Sequence, residues 1–237
     1  MPPLTPPLRP LLLEVIVQSV ADAREAARGG ADRLEVVRAI EDGGLTPPLT
    51  LVQQIAAAVP LPLRVLVREN AGYSTHPGER QALRRAAAAF AEAGVDGLVV
   101  GFAHAGKPEL DRVEDVLERA RDANVTFHRA FDQLSDPLSA IDAIARIPRI
   151  DRVLTSGGEG TAAERCERLL AYQERAGDRL TIIAGGGIDA ELLISLVQSG
   201  FVKEVHVGRA ARENGDLHGA VSTARVARLQ EIVQRRR

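Results

Sequence analysis

The sequence of 237 residues contains a single cysteine, no tryptophan and very few aromatic residues. One cysteine excludes a disulfide framework and a cysteine-based zinc site, and it fits a reducing cytoplasm. Aromatic residues make up 3% of the chain, which is too little for a platform on which single-stranded nucleic acid stacks. No apolar run reaches the roughly 18 residues that cross a bilayer. We therefore expect a cytoplasmic protein with no membrane partner.

An excess of charge of one sign is also lacking, since 30 Lys and Arg face 32 Asp and Glu for a net charge of −2. This balance argues against a nucleic-acid partner, which requires a basic surface. Residues 1–10 hold five prolines, which favour neither a helix nor a central strand. The sequence therefore predicts a loose proline-rich leader over residues 1–10 and one domain over residues 11–237.

Short β-branched runs alternate with Ala-, Arg- and Glu-rich helical stretches from residue 11 onwards. Ser19, Asp136 and Asp189 stand where helix N-caps are expected. The eight strand-like runs cover residues 11–17, 32–37, 63–68, 96–102, 125–131, 151–156, 180–186 and 204–208. Eight such units of about 27 residues predict a single (β/α)8 TIM barrel of the α/β class. A doubly wound open sheet is the alternative, but no GxGxxG follows the first strand.

Polar residues recur with period two inside these strands, which identifies the face that each strand turns to the barrel interior. The ionisable residues predicted on that face are Glu14, Glu35, Arg64, Arg68, His128, Glu204 and His206. A self-satisfied Glu–Arg network explains any one of them, but their convergence is typical of a site with shifted pKa values. Arg64 and Glu204 begin their strands and are expected to stabilise the lower face, because active sites lie at the other end.

Glycine-rich segments follow the last three strands, at residues 155–160, 184–189 and 207–212. The loops after strands seven and eight of many barrels hold a phosphate with backbone N–H groups. Glycines that only permit tight turns with positive φ are the alternative interpretation. The residues predicted to bind an anion are Arg68, Arg129, Thr155, Ser156, Gly157, Gly185, Gly186, Gly187 and Arg209.

No GxSxG, HExxH or P-loop motif is present, so the sequence does not decide whether the protein is an enzyme. The candidate catalytic residues are Glu14, Glu35, His128 and Asp132. The candidate metal ligands are Glu14, Glu35, His128 and His206. These side chains suit a hard divalent ion better than Cu(I), which prefers sulfur ligands. Met1 is the sole thioether, and Cys166 is expected to be an ordinary helical cysteine.

Four segments of the sequence resemble motifs of the CutC family: GGLTPP at 43–48, VTFHRAFD at 125–132, RVLTSG at 152–157 and EVH at 204–206. The resemblance runs from about residue 11 to residue 215. It implies a TIM barrel and, from the family's name, a role in copper homeostasis with copper binding. It also matches family motif positions to Glu14, Glu35, Arg68, His128, Arg129, Asp132, Thr155, Ser156, Gly157 and His206.

The sequence departs from the family pattern where family members often carry cysteines, after the first- and second-strand glutamates. This chain has Ile16, Val17 and Val37 there, so the natural copper ligands are missing. The arginine-rich loop after strand three is also shortened, and Asn70 falls where a second arginine is expected. Copper as cofactor is therefore implied by the family name only.

Two hypotheses follow from the residues and the resemblance together. The first is a cytoplasmic CutC-like protein of copper homeostasis. The second is a barrel enzyme of unassigned reaction whose partner is a small anionic metabolite, phosphorylated or carboxylated. A homodimer is compatible with the aliphatic helices, which are the only interface signal.

Overall fold

A computed structural model describes residues 11–235, so the predicted leader over residues 1–10 lies outside the described residues. Eight parallel strands pair in chain order into a closed barrel, and the last strand pairs with the first. The strands are β1 Leu12–Val17, β2 Arg33–Val36, β3 Leu63–Leu66, β4 Gly97–Val100, β5 Asn124–Phe127, β6 Ile150–Thr155, β7 Thr181–Ala184 and β8 Glu204–Val207. The helices are α1 Val20–Arg28, α2 Leu49–Ala58, α3 Pro77–Glu92, α4 Leu110–Val116, α5 Pro137–Ile144, α6 Ala162–Ala176, α7 Ala190–Ser199 and α8 Thr223–Gln234. The predicted (β/α)8 TIM barrel is confirmed.

Most strands end a few residues earlier than the sequence runs from which they were predicted. Strand β5 ends at Phe127 instead of residue 131, because the chain turns into a 3-10 helix, Arg129–Gln133. The His128 side chain starts this turn by accepting the N–H of Ala130. His128, Ala130 and Phe131 beyond the strand end stay buried, so the buried pattern continues where strand hydrogen bonding has ceased.

Aliphatic side chains on the outward face of the strands form the core between barrel and helices. Leu13, Val15, Leu34 and Val205 have no exposed surface, as the parity of the strands predicts. Burying one such side chain contributes roughly 1.5–3 kcal/mol. This layer therefore provides the main stabilisation of the fold, and the interior of the barrel is left to other side chains.

The helix starts are fixed by the predicted caps. Ser19, Asp136 and Asp189 each accept a backbone N–H from the first turn of α1, α5 and α7. A cap of this kind stabilises a helix by about 1 kcal/mol. The caps also set the lengths of the loops that gather at the C-terminal end of the barrel. None of the helices within residues 11–235 has the length and apolarity of a membrane crossing.

Candidate ligand site at the mouth of the barrel

The floor of the barrel is built from charges that partner one another. Buried Arg33 donates from Nε to Glu14 at 2.5 Å and from Nη2 to Glu204 at 2.5 Å. Arg152 donates from Nε to the same Glu204 at 2.9 Å. These bonds join strands β1, β2, β6 and β8, and mutual pairing is what makes such burial tolerable.

Arg64 extends this network to the other side of the barrel. Its Nε donates to Asp96 at 2.7 Å, and its two terminal nitrogens bind Asp151 at 3.1 and 3.0 Å. Gly97 makes room for it, because a Cβ there would lie 2.6 Å from the guanidinium. Both acids lie at the starts of their strands, so the expected role of Arg64 at the lower face is supported by its contacts.

Above the floor, a histidine stands between two glutamates. His206 Nδ1 lies 2.7 Å from Glu14 Oε1, and its Nε2 lies 3.5 Å from Glu35 Oε2. Burial opposes a charge on His206, but the two carboxylates outweigh it and raise its pKa. Burial would also raise the pKa of Glu14, but Arg33 and His206 hold it well below the usual range. Glu14 is therefore a fixed anion that orients His206.

Glu35 differs from Glu14 because its carboxylate makes no hydrogen bond with the described residues. Burial raises the pKa of Glu35 to about 7, with His206 acting against the shift and Glu14 adding to it. The side chain lines a cavity at the barrel mouth. A carboxyl group that is buried, faces a cavity and titrates near neutrality is suited to proton transfer.

His128 lines the same cavity and carries an unused donor. Its Nδ1 accepts the N–H of Ala130 at 3.2 Å, so the proton of the neutral ring is on Nε2. Nε2 is buried and has no hydrogen-bond partner among the described residues. Burial, followed by the charges of Arg68 and Arg129, lowers the pKa of His128 to about 3. At neutral pH the ring is therefore an uncharged N–H donor.

The ring of His128 is also held in place. Gly101 lies against it, since a Cβ there would be 2.9 Å from Nδ1. Tyr73 packs edge-on at 5.4 Å between ring centroids. The unpartnered donor therefore has a fixed direction, which is the property of a preorganised site.

Asp132 acts as an anchor for Arg129. Its carboxylate accepts from Arg129 Nε at 2.8 Å, from Thr155 Oγ1 at 2.6 Å and from the N–H of Ser156 at 3.0 Å. With its oxygens occupied in this way, Asp132 positions the arginine. Three residues predicted to bind an anion do not line the cavity: Thr155, Ser156 and Gly157. They support this anchor instead, since Thr155 and Ser156 donate to Asp132 and the N–H of Gly157 donates to Thr155 Oγ1.

Arg68, predicted to bind an anion, has its donors directed at loop carbonyls. They reach Gly43 at 3.1 Å, Gly44 at 3.3 Å, Gly72 at 3.2 Å and Ala71. Tyr73 stacks on the guanidinium at 4.8 Å. Arg68 thus holds the loops after β2 and β3 together and contributes its positive charge to the cavity.

The glycine turn after β7 forms another part of the mouth. Gly186 and Gly187 have φ of +67° and +70°, and a Cβ at Gly186 would lie 3.1 Å from the Arg129 guanidinium. Their N–H groups donate to none of the described residues. Arg165, which sequence reasoning missed, donates to the carbonyls of Gly185 and Gly186 at 3.0 and 2.7 Å. Its position in an Arg/Glu-rich helix carries no signal for this role.

These groups meet in one cavity of about 440 Å³. Its polar lining includes the side chains of Glu35, Asp42, Arg68, Tyr73, His128, Arg129, His206 and Arg209, together with Gly186 and Gly187. Its apolar side is formed by Ile16, Ile40, Leu66, Leu154, Ile188 and Leu217. The guanidinium of Arg209 is exposed and makes no hydrogen bond or ion pair within residues 11–235. The apolar side was not predicted, because its members come from strands and loops far apart in sequence.

A closed (β/α)8 barrel with polar groups gathered at the C-terminal ends of its strands has the architecture of the TIM-barrel proteins, whose known active sites lie at that face. The chain belongs to the CutC family, whose family model matches residues 11–211. It is 35% identical over 205 residues to a CutC family protein of Agrobacterium fabrum, covering 85% of this chain and 80% of that one. It is 32% identical over 207 residues to the human copper homeostasis protein cutC homolog, covering 86% and 76%.

Solved structures share the fold at low sequence identity. The crystal structure of the Streptococcus agalactiae CutC, named for copper homeostasis, superposes with a TM-score of 0.76 at 22% identity. The overlap covers 83% of this chain and 97% of that chain. Thiamine phosphate pyrophosphorylase from Pyrococcus furiosus superposes with a TM-score of 0.62 at 16% identity, covering 95% and 96%. At these identities the likeness is one of fold.

The family name implies copper, and the residues described here do not fit a Cu(I) site. Cu(I) prefers thiolate and thioether ligands, whereas Cys166 lies on α6 in the outer helical layer. No group of three or more His, Cys, Asp or Glu side chains in residues 11–235 is arranged to hold a metal ion. The predicted ligands Glu14, Glu35, His128 and His206 therefore form no such group, and the His128 Nε2 carries a proton.

Proposed function

We propose that the protein acts in copper homeostasis in the cytoplasm, and that it does so by binding a small anionic metabolite at the barrel mouth. Family membership and the names of the relatives support the first part. The second part is supported by one observation: His128, whose buried Nε2 has no partner within residues 11–235, lines one cavity together with Arg129 and Arg209.

The unpartnered donors favour an anion as ligand. Arg129 uses Nε to bind Asp132, and its two terminal nitrogens donate to none of the residues 11–235. The N–H groups of Gly186 and Gly187 add donors that suit phosphate or carboxylate oxygens. Hydrogen bonds to a charged group are each worth about 1.5–3 kcal/mol, so a few of them give a specific site.

The apolar side of the cavity favours an organic anion over a bare inorganic ion. Ile16, Ile40 and Leu217 line the same cavity as the donors. Contact with such a surface gains roughly 25 cal/mol per Å² of apolar area removed from water. The favoured ligand is a small phosphorylated or carboxylated compound with a short apolar part.

The binding test is thermal denaturation of the purified protein with inorganic phosphate and with a panel of phosphorylated and carboxylated metabolites. A ligand that binds only the folded state raises Tm by mass action. We expect a rise that R129Q and R209Q abolish. R85Q is the matched control, because Arg85 is exposed on α3 and away from the cavity. A Tm that no anion raises, or that R129Q leaves responsive, would contradict the proposal.

The copper test separates the two parts of the proposal. In a strain that lacks the gene, we expect the wild type and C166S to restore copper tolerance and R129Q to fail. Titration with Cu(I) against a competing chelator is expected to reveal no stoichiometric tight site. Tolerance that depends on Cys166 instead of Arg129, or tight Cu(I) binding, would show that the protein works as a copper carrier.

An enzyme that acts on the bound anion is the second candidate function. It is favoured by Glu35, a buried carboxyl group that faces the cavity and has no hydrogen-bond partner of its own. A binding protein has no need of such a group, since a carboxylate beside an anion site weakens binding.

A further inference from the structure

We infer that the mouth of the barrel catalyses proton transfer at the carbon atom next to the carbonyl group of a short phosphorylated compound. Glu35 is the base and His128 is the neutral donor to the carbonyl oxygen. The inference rests on the anion site proposed above and adds to it the substrate class and the reaction.

His128 is assigned as the residue that binds the carbonyl oxygen of the substrate, because its ring carries a free N–H at Nε2. Nε2 is a buried N–H without a partner in residues 11–235, and the residue that carries it lines the cavity. A neutral imidazole donates a hydrogen bond to a developing oxyanion without giving up its proton. The contact of Nδ1 with the N–H of Ala130 prevents the opposite tautomer.

The proton acceptor is assigned to Glu35 because of its place in the Glu14–His206–Glu35 row. Its carboxylate is held from one side only, by His206 at 3.5 Å, and is open to the cavity on the other. Glu14 fixes the imidazole of His206 through a 2.7 Å contact. Glu35 is therefore positioned without having its oxygens occupied, which a base requires.

The length of the substrate follows from neighbouring residues. His128 and Arg129 are adjacent in sequence, and Arg129 lies against Gly186 of the glycine turn. The oxygen and the phosphate of the substrate must therefore be only a few bonds apart. Glu35 approaches from β2, three strands round the barrel from β5, so the reacting carbon lies between base and donor.

The step balances without another reactant. Glu35 takes the proton from the carbon, the C–H electron pair forms the carbon–carbon double bond of an enolate, and the carbonyl π pair moves to oxygen. His128 Nε2–H donates to that oxygen. Return of the proton from Glu35, or of one from solvent, restores the carbonyl compound.

The test compares two probes that share a phosphate group. Phosphoglycolohydroxamate carries the planar oxygen atoms of an enolate, whereas 2-hydroxyethyl phosphate lacks them. We expect the hydroxamate to bind the wild type about a hundredfold more tightly by calorimetry, because analogues of a reacting state bind more tightly than simple ligands. E35Q and H128L should abolish this preference, so that the ratio of the two affinities measured within each variant falls to about one. H128Q, which keeps an N–H, should restore part of it.

Each result decides something different. Equal affinity of both probes for the wild type would overturn the reaction and leave the anion site standing. Absence of binding by both probes would overturn the anion site as well. Because the comparison is made first on the wild type, it decides the matter even where a variant does not fold.

Discussion

The two ends of the barrel interior hold similar residues and use them in opposite ways. At the floor, Arg33 and Arg64 satisfy their donors with carboxylates from neighbouring strands. At the mouth, Arg129, Arg209 and His128 keep donors that no described residue accepts from. Charges that are paired stabilise a fold, and donors that stay unpaired are available to a ligand. The pairing of the donors therefore distinguishes the floor of the barrel, which stabilises the fold, from the candidate site at the mouth.

The largest effect is expected from breaking the floor. Arg33→Leu leaves Glu14 and Glu204 buried with one partner fewer each, and we expect a loss of about 3–5 kcal/mol in unfolding free energy. Urea denaturation measures it. Arg85→Leu on the exposed face of α3 is the control and should cost little. A loss below about 1 kcal/mol would mean that the floor does not depend on pairing.

A smaller loss is expected at the anchor beneath the mouth. Asp132→Asn removes the charge that accepts from Arg129, Thr155 and Ser156, and we expect a cost of about 1.5–3 kcal/mol. Phosphate binding should weaken too, because Arg129 loses its orientation. If calorimetry gave unchanged phosphate affinity, the positioning role of Asp132 would be wrong.

The difference between the two ends also marks what the sequence can predict. Period-two alternation identified the residues that enter the barrel, since a strand fixes the side of each residue. It could not identify their partners: Arg33 and Glu204 are 171 residues apart and meet only when the barrel closes. Arg68 illustrates the same limit, because the loop carbonyls that accept its donors are positioned by tertiary contacts.

The glycine segments predicted to bind an anion lie in two different surroundings. Gly186 and Gly187 line the cavity, whereas Thr155 and Ser156 hold Asp132. The motif is the same kind of glycine-rich turn in both cases. What separates them is whether a side chain already accepts from the donors, and only the folded chain decides that.

The pH dependence is expected to be small in the wild type, because two groups of the mouth oppose each other. Burial raises the pKa of Glu35 to about 7 from 4.5, so its contribution to stability is lost as pH rises through that interval. Burial lowers the pKa of His128 to about 3 from 6.5, so its contribution is lost as pH falls below 6.5. Between pH 4.5 and 6.5 the stability contribution of Glu35 therefore falls with rising pH while that of His128 increases.

E35Q removes the contribution of Glu35 to the pH dependence of stability and leaves that of His128. We expect the Tm of E35Q to rise with pH over that interval more steeply than the Tm of the wild type. The nitrogen chemical shifts of His128 should remain those of a neutral ring with the proton on Nε2 down to about pH 5. If His128 instead became charged above pH 6, its stability contribution would not oppose that of Glu35 as described. The ring would then also not be a neutral donor at that pH.

The smallest effect on stability is expected at the mouth itself. Arg129→Gln removes a side chain that is 45% exposed and bound to Asp132 by one ion pair, and pairs of this exposure are worth about 0–1 kcal/mol. The same change should abolish the phosphate-induced rise in Tm. The mouth would then differ from the floor in that its arginine contributes little to stability and much to binding. If Arg129→Gln were as destabilising as Arg33→Leu, the mouth would be a second structural layer, and the candidate site would lose its physical basis.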